Sequence, residues 1–125
     1  MSAMDFNRLS ALARPVVAAA QRRLPAEVRE VAARVPVCFE PQPNAAILAE
    51  GWEPDILGLF VGPALGAETG GDALPPQILL FLENLWDYAE GDPEVYRDEV
   101  YLTYLHELGH FLGWDEDEVA ERGLD

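Results

Sequence analysis

Residues 106–116 read HELGHFLGWDE, and they contain both of the chain's histidines. His106 and His110 are four residues apart, with Glu107 directly after the first. On a helix this spacing projects both rings from one face, about 5–6 Å apart at Cβ, so their nitrogens can converge on one ion. Glu107 falls roughly 100° round the helix from His106 and can reach the same region without being a ligand. H-E-x-x-H on a helix is the pattern in which two imidazoles take zinc and the intervening Glu acts as a general base.

The helix opens near Pro93. On a 100° wheel Val100, Tyr101, Tyr104, Leu105, Leu108, Phe111 and Leu112 fill one arc, which must face the core. Glu99, Thr103, His106, Glu107 and His110 fill the other, expected to face a cleft or solvent. Gly109 lies between the arcs, where a bare backbone would let a neighbouring element approach. Tyr96 falls near the polar arc, either as a surface aromatic at the helix start or as part of the site.

A third ligand is expected six residues past His110. Gly113 and Glu116 stand at the offsets where the pattern H-E-x-x-H-x-x-G-x-x-H has its glycine and last histidine. Zinc accepts carboxylate oxygen, and two His plus one carboxylate leave a fourth position open. Gly113, which can take the left-handed conformation at little cost, reads as the turn that delivers Glu116. Asp115, Asp117 and Glu118 are rivals for the same role, and the segment WDEDEVAERGL also reads as a last short helix with an acidic cap.

From about Asp55 to its end the chain resembles the small bacterial zincin-like metallopeptidases, whose motif is H-E-x-x-H-x-x-G-x-x-D followed by acids. The resemblance rests on ILGLFVG, on PPQILLFLENL, on the motif helix and on the closing ERGL. It implies a compact α+β fold, with a small mixed sheet of about three strands packed on helices that include the motif helix. By position it implies His106 and His110 as Zn2+ ligands, Glu107 as general base, and Glu116 in the place of the family's Asp. Glu for Asp is a departure, and the extra methylene changes the reach of the carboxylate. The resemblance further implies that GLFVG is an exposed antiparallel edge, with QILLFLE inside it, where an extended peptide can pair by strand addition.

Composition agrees with one small domain over residues 1–125, half of it hydrophobic, enough to bury a core. The lone Cys38 lies in the apolar run PVCFE and reads as a strand residue rather than a reactive thiol. A reducing, cytoplasmic compartment is the simpler expectation. No run approaches the ~20 apolar residues of a membrane span, and MSAMDFNRLSALARP is unlike a signal peptide. The net charge of −15, with arginine but no lysine, repels phosphate backbones and argues against nucleic acid and anionic membranes.

Along the chain, residues 4–23 read as a helix kinked near Pro15, and PAEVREVAARV as a second helix with proline in its first turn. PVCFEPQP reads as a strand stopped by prolines, AAILAEGWEPD as an irregular or briefly helical connection, DILGLFVG and QILLFLE as strands. PALGAETGGDALPP between them reads as an exposed, mobile loop.

The expected chemistry is amide hydrolysis of a peptide or protein, with Glu107 taking a proton from zinc-activated water and returning it to the leaving amine. No methionine follows Met4, and few residues follow Glu116 to form a lower cleft wall. A partner protein or a homodimer would supply that wall. Two other readings compete. One is a non-catalytic metal-binding interaction domain. The other is a metal-dependent endoribonuclease, from the likeness of HFLGWDE to the H-L-x-G-Y-D-H segment of bacterial zinc endoribonucleases. Those enzymes have Gly where Glu107 stands, and the acidic charge is wrong for RNA.

Overall fold

The computed structural model describes residues 4–63 and 75–113. Helix α1 (Phe6–Arg23) starts at Asp5, whose side chain accepts from Arg8 N at 2.8 Å, and ends on Arg22 and Arg23, whose charges suit a helix C-terminus. Pro15 lies inside this helix without ending it. Helix α2 (Ala26–Ala32) follows Pro25, and strand β1 (Val37–Glu40) stops at Pro41. The short helix α3 (Ala45–Ala49) is capped by Asn44, and strand β2 is Gly58–Val61.

Strand β3 (Gln77–Phe81) runs without a break into helix α4 (Leu82–Tyr88), and helix α5 (Pro93–Phe111) completes the described elements. Helix α4 is an element that sequence reading missed. QILLFLENL is apolar almost throughout, and such a run carries neither a clear period of 2 nor one of 3.6. The start of α5 is as expected: Pro93 occupies the first turn and the Asp92 side chain accepts from Glu94 N and Val95 N.

Among the described residues the sheet is three-stranded in the order β1-β3-β2, with β1 parallel and β2 antiparallel to β3. The fold class is therefore α+β with a small mixed sheet. Because successive strand residues alternate in facing, Ile78 and Leu80 join the core against α1, α4 and α5, whereas Leu79 and Phe81 join a second cluster with Ile47 of α3 and Leu59. Cys38 packs on that second cluster and its thiol donates to Gln77 Oε1 at 3.4 Å, as suits a structural cysteine.

Helices α1 and α5 pack on each other along faces set by sequence. Leu9, Ala13, Val17 and Ala20 meet Val100, Tyr104, Leu105, Leu108 and Phe111 in one cluster, and burying each large side chain contributes roughly 1.5–3 kcal/mol. Tyr96 is fully buried and donates its hydroxyl to Leu9 O at 2.9 Å. Both expectations for Tyr96, surface aromatic or site residue, are thus corrected: it pins α5 to α1. One turn or two further on, Gln21 Nε2 donates to Tyr104 Oη at 3.2 Å.

The other arc of α5 faces a cleft, as expected, with Thr103, His106 and Glu107 along it. Thr103 and Glu107 are 8% and 9% exposed there, covered from the side by β2. Among the described residues, no helix is long and apolar enough to cross a membrane. The expected mobile loop falls mainly on residues 64–74, and the expected last helix on residues 114–124; both lie outside the described residues.

Candidate metal centre

The last turns of α5 carry the site. His106 is partly exposed, His110 is exposed, and their Nε2 atoms are 3.1 Å apart with the rings nearly perpendicular, at 88°. Ligand-type atoms of His106, Glu107 and His110 all lie within 4.8 Å of one another. The helical spacing alone produces this convergence, since residues four apart share a face.

Two imidazole nitrogens at that separation cannot both present lone pairs to each other without something positive between them. A shared proton meets the requirement for one tautomer pair; a cation meets it for two neutral rings. Zinc–nitrogen bonds of about 2.0–2.1 Å in a tetrahedral site put the two nitrogens on the order of 3.3 Å apart. The donor set and its 3.1 Å spacing therefore fit zinc. Asp115, Glu116, Asp117 and Glu118, the candidates for a third ligand, lie outside the described residues. Gly113, the turn expected to lead to them, does take the left-handed conformation, with φ 78°, and its N–H donates to His110 O at 3.0 Å.

Glu107 is held from the side by the sheet. Its Oε1 accepts from Phe60 N at 2.9 Å. Burial pushes its carboxyl above the ordinary value, while the His110 and His106 rings and the Phe60 amide pull it down. The strand comes this near because residue 58 is glycine: a Cβ there would stand 2.7 Å from Thr103 Cγ2, 3.1 Å from Leu79 O and 3.3 Å from Glu107 Cγ. Phe60 adds an edge-on ring contact with Phe111, 5.7 Å between centroids.

An open cleft of about 710 Å³ runs between the start of β2 and α5, lined by Ile56, Leu57, Gly58, Leu102, Thr103, His106 and Glu107. Its wall before β2 is fixed by Asn84 of α4, whose side-chain amide donates to Pro54 O at 2.8 Å and Ile56 O at 2.9 Å. Sequence reading selected His106, Glu107 and His110, which the fold brings together, but missed Gly58, Phe60, Asn84 and the cleft residue Leu102. A signal existed for Gly58, since glycine inside a strand marks a close approach of neighbours.

The fold and site together define the class of α+β proteins in which one helix presents two imidazoles and a carboxylate beside an antiparallel edge strand. A family model for zincin-like metallopeptidases matches residues 32–124, and the chain belongs to that family. The match begins at the end of α2, so α1 and its packing against α5 lie outside it. No curated protein matches the chain.

Proposed function

We propose that this protein is a zinc-dependent peptidase that hydrolyses peptide bonds with Glu107 as general base. The observation that carries the reading is the placement of the Glu107 carboxylate, between the His106–His110 pair and the edge strand, with one oxygen held by Phe60 N and ligand-type atoms of all three residues within 4.8 Å. His106 and His110 would hold zinc through their Nε2 atoms, with Glu116 as the third ligand. Bound zinc acts as a Lewis acid toward water and toward the carbonyl to be cleaved.

The chain's own residues supply the proton transfers. Glu107 Oε2, the oxygen not engaged by Phe60, takes a proton from the attacking water and later delivers it to the departing amine. Partial burial of Glu107, which raises its affinity for the proton, suits a group that must hold that proton between two steps. The cleft beside β2, walled by Ile56, Leu57 and Leu102, would receive an apolar side chain of an extended peptide. The test is hydrolysis of a mixed peptide library followed by mass spectrometry, with and without zinc. Zinc-dependent cleavage that disappears in Glu107→Gln supports the reading. Stoichiometric zinc binding with no cleavage would replace it with a non-catalytic metal-binding interaction module.

A further inference from the structure

The ladder between β2 and β3 decides which main-chain groups of β2 are spoken for. Leu59 lies opposite Leu79, Val61 opposite Gln77, and Phe81 N donates to Leu57 O at 3.0 Å. In an antiparallel pair, bonded positions alternate with unbonded ones. Leu57, Leu59 and Val61 are therefore the residues bonded to β3, and the N–H groups of Gly58 and Phe60 point to the open side of the strand. The Phe60 N–H is the one already taken, by Glu107 Oε1 at 2.9 Å from a residue 47 positions along the chain.

We infer that the Phe60 main-chain N–H is a positioning group for Glu107, and that Gly58 is the residue whose missing side chain permits it. The catalytic consequence rests on reading Glu107 as the base; the positioning itself does not. One N–H has one proton to give, so it cannot hold Glu107 and also pair with a peptide added to β2. A carboxylate is the stronger acceptor, because hydrogen bonds to ionised groups are roughly twice as strong as neutral ones. With Oε1 fixed, rotation of the carboxylate is stopped and Oε2 keeps one direction. A peptide lying along β2 is then left to pair at Gly58, while the position opposite Phe60 belongs to the base.

Replacing Phe60 by phenyllactic acid turns the preceding amide into an ester, deleting the N–H and keeping the ring. In the zinc-loaded protein this variant should retain zinc affinity. On members of a quenched-fluorescent peptide library cleaved by the wild type, kcat should fall about 10-fold or more with KM unchanged. A rise in KM with kcat intact would overturn the inference, because the N–H would then be pairing with the peptide. Hydrogen exchange gives a readout that needs no hydrolysis. In zinc-loaded Glu107→Ala, Phe60 N–H should exchange about 10-fold or more faster than in the wild type, with Leu59 and Val61 unchanged. Equal protection of Phe60 in both proteins would also overturn it. A wild type that cleaves no peptide yet shows Glu107-dependent protection of Phe60 supports the positioning and counts against the peptidase reading alone.

Discussion

Gly58 of β2 and Thr103 of α5 approach so closely that a Cβ on the glycine would stand 2.7 Å from Thr103 Cγ2. The next strand residue but one, Phe60, meets Glu107 one turn along the helix. The spacing of strand and helix at one contact thus sets the spacing at the other.

Gly58→Ala should therefore destabilise the protein by about 1–3 kcal/mol, the usual cost of overpacking. Thr103→Ser in the same chain removes the Cγ2 methyl and should recover part of the loss, though Leu79 O, at 3.1 Å, remains close. Urea denaturation of the single and double variants measures both. A double variant no more stable than Gly58→Ala would show that Thr103 is not the obstacle.

Zinc should bind at about one ion per chain and stabilise the folded state. At a free concentration of about 100 times Kd the gain is roughly 2.7 kcal/mol, visible as a rise in Tm that chelator reverses. His106→Ala with His110→Ala should abolish the rise, since the two imidazoles are the expected nitrogen ligands. Glu116→Ala should weaken zinc affinity about 10-fold or more. Unaltered affinity would pass the third-ligand role to Asp115, Asp117 or Glu118.

Glu107→Gln should keep zinc, lose hydrolysis and raise the Tm of the metal-free protein. Burial raises the Glu107 carboxyl, so its charged form costs stability above the ordinary carboxylate range, and a neutral amide of the same shape removes that cost while its oxygen still accepts from Phe60 N. The expected gain is ~1 kcal/mol, a common size when a site residue is replaced by a less strained one. A lower Tm for Glu107→Gln at neutral pH would contradict this.

Alkali should unfold the protein through its buried tyrosines. Burial raises Tyr96 and Tyr104 above their ordinary value of 10.0, with the Gln21 hydrogen bond opposing the shift at Tyr104. Their neutral forms therefore contribute stability that is complete below about pH 10 and is lost as pH climbs toward the raised folded values. Tyr96→Phe removes the bond to Leu9 O and should cost about 1 kcal/mol at neutral pH, while making stability less sensitive to alkali. Parallel pH profiles for wild type and variant would exclude Tyr96 as a source of the loss.

Gly113→Ala should cost roughly 1–2 kcal/mol, since φ 78° is adverse for a residue with Cβ. Among the described residues, no atom beyond the chain neighbours lies within 4 Å of the position such a Cβ would occupy, and the expected cost is the conformational one. Zinc affinity would fall with it if the turn delivers the third ligand.

The sequence by itself determined what depends on neighbours along the chain. The spacing of His106 and His110 guarantees convergence on any helix, Pro93 and Asp92 start that helix, and Gly113 ends it in the left-handed turn. Apolar runs with proline stops were enough for β1, whereas the place of GLFV as an edge strand beside QILLF came from the family resemblance and agrees with the strand order. Tertiary structure decided the rest. A helical wheel gives the angle of Thr103, Glu107 or Tyr96 but not what lies at that angle, and β2 buries the first two while α1 buries the third. The partner that holds Glu107 is a main-chain N–H, present at every residue except proline and therefore silent in sequence, and only the packing of β2 on α5 selects the one at Phe60.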